Sequence, residues 1–208
     1  MAKLNPNNPL YRQFLEYRPK QSDLRLASII ESAIDCIATQ GIEKLSFDAI
    51  GKPIKMTRAH VAYYFKNKNE IIESAIGFSI MSGQKICVKN LESVKDPKKW
   101  IETYIYSHFE WAQTHPKQMK VMEMFYYYAS FKKNYSELCK KTRDTGIDRI
   151  IEILKPLLSC SPADLRLRAT AIQNVLTGAL IYSTSIQQYD ELPRIQSETY
   201  KQVLTLLE

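Results

Sequence analysis

The chain has 208 residues, 45% of them hydrophobic, with 29 basic against 22 acidic side chains and a formal charge of +7. That length and apolar content suffice for a buried core without disulfide or metal staples, and the positive balance admits a polyanion as partner without requiring one. Cys36, Cys87, Cys139 and Cys160 form no CxxC pair and have no histidine at metal-ligand spacing, and neither a signal-like apolar start nor a run of eighteen apolar residues occurs. A cytoplasmic protein is expected, with no cofactor implied.

Six glycines, no Asn-Gly or Asp-Gly pair and no sustained alternation of polar and apolar residues point to an all-α chain. Residues 1–21 read as a flexible arm, rich in Asn, Pro and basic groups, through which Arg12, Arg18 or Lys20 could reach a minor groove. Ser22 is a candidate cap for a first helix over 23–40, in which Leu26, Ile29, Ile30, Ala33, Ile34 and Ile37 recur at steps of three and four; Gly41 ends it. A second helix starts after Ser46 and is kept short by Pro53, a turn follows around 54–56, and Thr57 caps a third helix to Tyr64 or Phe65.

Two short helices joined by a tight turn can lay the second in a major groove while the first crosses the backbone. Helical phase puts Val61 and Phe65 inward and leaves Arg58, Ala59, His60, Ala62 and Tyr63 outward. Arg58 suits a guanine edge, His60 can donate or accept, and Ala59 allows close approach or contact with a thymine methyl. Thr57, Tyr63 and Tyr64 suit phosphates, as does Lys68 at the opening of a fourth helix over 68–94. With Ser46 these residues are the candidate DNA contacts. Ordinary surface charge for Arg58 and Lys68, and packing for Tyr64, are the competing readings.

The segments IIESAIDCIATQG and AHVAYYFKNKNEII, with the joint spacing of Ala33, Ile37, Gly41, Ser46, Ile50, Thr57, Val61, Tyr63-Tyr64-Phe65, Asn67 and Lys68, resemble the TetR (tetracycline repressor) family over residues 29–72. The resemblance implies an N-terminal helix-turn-helix at 22–70 and a helical ligand-binding and dimerisation domain at 71–208. It also implies a homodimer built by the last two long helices. Two departures stand out: Lys55 occupies the turn position where the family usually has glycine, and Ala62 a position where it often has a phosphate-binding tyrosine.

Further helices are expected from beyond Asp96-Pro97 to 114, over 116–131, over 135–158, from Ser161-Pro162 to 187, and over 193–207. Trp100, Tyr104, His108, Trp111 and His115 share a stripe of the fifth helix, and the sixth adds Met119, Met122, Phe125, Tyr126, Tyr127, Tyr128 and Phe131. Polar-tipped aromatics and adaptable methionines suit either a core or a pocket; Trp100, Tyr104, His108, Trp111, Met122, Phe125 and Tyr126 are the candidate ligand contacts. In the penultimate helix Ala169, Ile172, Val175, Leu176, Ala179, Leu180 and Ser183 form a broad face that can pair with another helix or be buried within the monomer.

The expected function is that of a sequence-specific transcriptional regulator, a repressor released from a near-palindromic operator by a small apolar or aromatic molecule. The alternative is a helical sensor or scaffold of the same fold that has lost DNA binding. No catalytic triad, paired catalytic carboxylates, phosphate-binding glycine loop or zinc spacing is found, so an enzyme is not expected.

Overall fold

The computed structural model describes residues 21–186 and 189–208; the expected arm and its Arg12, Arg18 and Lys20 lie outside them. Among the described residues there are nine α-helices and no strand. They are α1 Gln21–Gln40, α2 Phe47–Gly51, α3 Arg58–Tyr64, α4 Lys68–Ser93, α5 Trp100–Thr114, α6 Pro116–Ala129, α7 Lys133–Leu154, α8 Pro162–Ser185 and α9 Leu192–Thr205.

The apolar stripe of α1 works as its spacing predicts, with Ile29, Ala33, Ile34 and Ile37 buried. The helix is already under way at Gln21, so Ser22 is a helical residue and not its cap. Gly41 ends it with φ 82°, a left-handed value that costs glycine no Cβ clash. Ser46 caps α2 by accepting from the Ala49 N–H at 3.1 Å, and the buried Ser32 hydroxyl on α1 donates to the Ile50 carbonyl at 2.7 Å. That bond fastens the end of α2 to α1 through a carbonyl near the helix terminus.

Helices α1–α3 form the head; beyond it, α4 lies against α5, α6 and α1. It is long and apolar enough to cross a membrane, but Ile71, Ile72, Ala75, Ile76, Cys87 and Leu91 face protein. It runs unbroken through the expected domain boundary at 70/71, and one continuous apolar core joins α1 to the C-terminal helices. No gap in packing marks that boundary among the described residues.

Element ends differ from the sequence expectations where local chemistry is weak. Helix α6 stops at Ala129, and α7 begins at Lys133 without a side-chain cap, taking Tyr135 inside as a buried residue. Helix α7 stops at Leu154, with Lys155 still helical as its C-cap, because Pro156 has no N–H to continue the ladder. In α8 the broad face Ala169, Ile172, Leu176, Leu180 and Ser183 is buried within the monomer, the second of the two readings open from sequence.

Candidate nucleic-acid interface and ligand cavity

The turn between α2 and α3 carries the head's geometry. Chain reversal uses a 3₁₀ turn at Lys52–Ile54 that holds Pro53, then Lys55 at φ 56°, ψ 35°. The Met56 N–H donates to the Gly51 carbonyl at 2.9 Å and the Lys55 N–H to the Lys52 carbonyl at 3.3 Å. These are the paired 6→1 and 5→2 bonds of a Schellman closure, with lysine in the left-handed place glycine normally takes.

The glycine sits elsewhere. A Cβ on Gly51 would stand 2.4 Å from the Met56 carbonyl oxygen and 3.4 Å from the Val61 side chain. Two positions in this turn favour glycine. Backbone overlap cannot be relieved without moving the turn, whereas a left-handed lysine costs about 1 kcal/mol. The sequence satisfies the dearer demand and leaves the cheaper one as strain.

Thr57 caps α3 as expected, its hydroxyl accepting from the His60 N–H at 3.3 Å while lying 3.1 Å from His60 Nδ1. With the hydroxyl proton given to Nδ1, the imidazole carries its own proton on Nε2, a tautomer assigned from the bonding pattern. Val61 and Phe65 are buried and fix the helix to the core. Arg58, Ala59, His60, Ala62 and Tyr63 share the exposed side, with Tyr63 84% exposed. Tyr64 is half-buried, its ring 5.3 Å from that of Tyr63 in an edge-on contact.

Among the described residues Arg58 pairs with Asp48 at 3.5 Å, and both side chains are largely in water. Such a pair is worth at most about 1 kcal/mol, so an incoming phosphate or base edge can displace it. Asn67 caps α4 by accepting from the Glu70 N–H at 3.0 Å, and Glu70 returns the favour by accepting from the Lys66 N–H at 2.8 Å. This places half-buried Lys68 in the first turn of α4, beside the end of α3. Ser46, Thr57, Arg58, Ala59, His60, Tyr63, Tyr64 and Lys68 all belong to the α2–α3 unit or the first turn of α4. Ser46 and Thr57 spend an oxygen lone pair on capping and keep their hydroxyls at the surface.

In the C-terminal helices a cavity of about 110 Å³ opens between α4, α5, α6, α7 and α8. Of the candidate ligand contacts, Tyr104, His108, Trp111, Met122 and Tyr126 line it, as does Met119. Trp100 and Phe125 do not. The Trp100 indole donates to the Val94 carbonyl at 2.9 Å and pins the α4–α5 connection, while Phe125 is fully buried against Tyr126 and Tyr135. One helical stripe need not share one neighbour along its whole length, which is why these two depart.

Sequence reasoning missed the polar half of the lining. Thr142, Thr145 and Arg149 come from α7, Gln173 and Thr177 from α8 and Gln84 from α4. The Tyr104 hydroxyl donates to Gln173 Oε1 at 3.3 Å, and Gln173 Nε2 donates to the Thr177 hydroxyl at 3.1 Å. Trp111 donates to Gln118 at 2.9 Å, and its ring lies against Gly83, where a Cβ would come within 3.1 Å. The signal that could have been read is the i, i+3, i+7 spacing of Thr142, Thr145 and Arg149, a polar strip beside the core residues Ile147 and Ile150.

Protonation in the cavity follows burial. His108 is pushed down to about 4 by burial, against the Tyr104 carbonyl 2.7 Å from its Nδ1 and with the Arg149 charge adding to the fall. It is a neutral imidazole with its proton on Nδ1. Burial also pushes the Tyr126 hydroxyl up to about 12, so it remains a phenol. The Cys87 thiol rises to about 11 through burial, opposed by the charge and hydrogen bond of Arg149. Among the described residues no three His, Cys, Asp or Glu side chains converge in a metal-holding group.

The head and the cavity share α6. Lys117, in its first turn, binds Asp35 of α1 at 2.9 Å, and the Tyr128 hydroxyl reaches Glu43, just past α1, at 3.5 Å. Between those two anchors, Met119, Met122 and Tyr126 face the cavity.

The family model for bacterial regulatory proteins of the tetR family matches residues 29–75. No curated protein matches the chain. Among solved structures, a transcriptional regulator from Pseudomonas aeruginosa PAO1 superposes with a TM-score of 0.74 at 11% identity, over 94% of this chain and 96% of its own. A regulator from Saccharomonospora viridis in complex with choline gives 0.73 at 16% identity, over 87% and 95%. The SmeT–triclosan complex gives 0.69 at 18% identity, over 86% and 89%. At these identities the likeness is one of fold.

Proposed function

We propose that this chain, whose residues 29–75 match the model of the tetR family of bacterial regulatory proteins, is a dimeric transcriptional repressor that leaves its operator when the C-terminal cavity fills. The observation that carries this reading is α6, which lines the cavity and grips the head at both ends. A ligand that pushes Met119, Met122 or Tyr126 moves the helix that sets the position of α1, and α1 holds α2 through Ser32. Operator and ligand affinities are then reciprocally coupled.

In this reading Arg58, Ala59 and His60 face base edges, and Ser46, Thr57, Tyr63, Tyr64 and Lys68 face phosphates. The choline and triclosan complexes of proteins with this fold support a small-molecule effector. Dimerisation follows from the reading task, since one seven-residue helix spans too few bases for useful specificity. The monomer consumes the face of α8 first expected to pair. The surface left for a second copy is the stripe Leu167, Ala171, Asn174, Gly178 and Tyr182, with Leu167 69% and Tyr182 56% exposed and open space over Gly178. Leu204 of α9 is also exposed.

Selecting bound fragments from genomic DNA and titrating the best against salt tests the claim. Steep loss of affinity with salt is expected. Arg58→Ala with Tyr63→Ala should abolish binding to the selected fragment while sedimentation still reports a dimer. Wild-type protein that selects no sequence would favour the sensor or scaffold reading instead.

A further inference from the structure

Most polar side chains that line the cavity are bonded to protein partners. The Tyr104 hydroxyl donates to Gln173 and Gln173 to Thr177, while the Thr142 and Thr145 hydroxyls donate to the Leu138 and Lys141 carbonyls one turn back along α7. Arg149 hydrogen-bonds Cys87 and is engaged in further interactions. Three groups differ. The Tyr126 hydroxyl on α6, His108 Nε2 on α5 and the Gln84 amide on α4 line the same cavity, and none of them has a hydrogen-bond partner among the described residues.

A polar group withdrawn from bulk water without a partner costs free energy, so several around one cavity mark where an occupant completes the bonding. All three are uncharged. Burial keeps His108 neutral, and its proton sits on Nδ1 for the Tyr104 carbonyl at 2.7 Å, which leaves Nε2 as an acceptor only. Burial likewise keeps Tyr126 a phenol, with a proton to give. Trp111, Met119, Met122 and Leu176 add apolar wall.

We infer that the cavity takes a small uncharged aliphatic molecule carrying both a hydrogen-bond donor and an acceptor, an amide or an alcohol, which donates to His108 Nε2 and accepts from the Tyr126 hydroxyl. This deepens the effector reading above and rests on it only for the regulatory consequence. Donor and acceptor count selects the class. A carboxylate brings no donor and sets its lone pairs against that of Nε2; an ammonium brings no acceptor for the Tyr126 proton; a hydrocarbon leaves every one of the three groups unpaired. Gln84 offers both functions and can serve either end of the molecule. At about 110 Å³ the space is smaller than the roughly 150 Å³ that holds benzene, so an aromatic ring enters only if the unbranched side chains of Met119 or Met122 move aside.

The test is calorimetry on the full chain without DNA, with three molecules of one shape. They are 2-methylpropanamide, which donates and accepts, its ketone isostere 3-methylbutan-2-one, which only accepts, and 2-methylpropanoate, which only accepts and is charged. The amide should bind at least about fivefold tighter than either of the others. His108→Phe removes the acceptor and should bring amide and ketone to within about twofold of each other. Tyr126→Phe deletes a hydroxyl that no described protein group holds, so it should fold as stably as the wild type; amide and ketone should both weaken by at least about threefold, with their ratio kept. Equal binding of amide and ketone by the wild type, tighter binding of the acid anion, no binding by any of the three, or an amide preference that survives His108→Phe would overturn the inference. Because the wild-type comparison stands alone, a variant that fails to fold does not rescue it. An amide that binds as described yet leaves operator affinity unchanged would overturn the regulatory reading and not this one.

Discussion

Arg58 and Arg149 carry the same guanidinium into opposite media. The first stands in water on α3, loosely held by Asp48; the second is buried at a cavity lined by aromatic, aliphatic and polar side chains. The contrast separates two kinds of recognition. An exposed cation gains little from one partner and much from a polyanion that sheds counterions along its length, whereas groups buried at a cavity are weakly screened by salt. Salt should therefore split the two sites: from about 50 to 200 mM, operator affinity is expected to fall at least about a hundredfold and the affinity of a cavity-bound ligand by less than about threefold. Parallel titrations measure both, and equal slopes would break the comparison.

The head is rigid at its turn, and smaller perturbations probe that. Gly51→Ala drives a Cβ into the Met56 carbonyl and is expected to cost about 2–3 kcal/mol in denaturant unfolding and to abolish operator binding, because the turn must open. In the cavity, His108 has a folded value near 4 against an ordinary 6.5. As pH falls the unfolded chain takes the proton first, so the stability tied to neutral His108 is full above about 6.5 and drains away towards 4. Between pH 7 and 5 the wild type should lose about 1–2 kcal/mol more than His108→Gln; identical profiles would show that burial is not what holds the imidazole neutral. Smallest is Lys55→Gly, which removes the left-handed strain at φ 56° but adds chain entropy, for a net gain of about 0.5 kcal/mol and about 1–2 °C in Tm.

The head was legible in the sequence because its rules are local. Ser46 and Thr57 cap, Val61 and Phe65 turn inward at i and i+4, and the outward set follows from phase alone. The placement of glycine at position 51 was not, because its reason is a carbonyl five residues away brought back by the turn. The cavity was half legible. Tyr104, His108, Trp111, Met122 and Tyr126 advertise themselves by type, but Arg149 and Gln173 look like surface residues until α7 and α8 close over α5. Trp100 was misplaced because its indole is spent on the Val94 carbonyl, a partner set by the α4–α5 connection and invisible to helical periodicity. The broad face of α8 stayed open between two readings for a similar reason, since composition cannot say which of two apolar stripes the monomer buries.

The central claim is that the DNA-facing side of α3 and the cavity are coupled through α6. Its most direct test is operator affinity, at fixed low salt, with and without a saturating cavity ligand found by calorimetry. The account predicts at least about a fivefold loss of operator affinity on saturation, matched by an equal loss of ligand affinity on operator-bound protein. A ligand that fills the cavity and leaves the operator isotherm unmoved would contradict it.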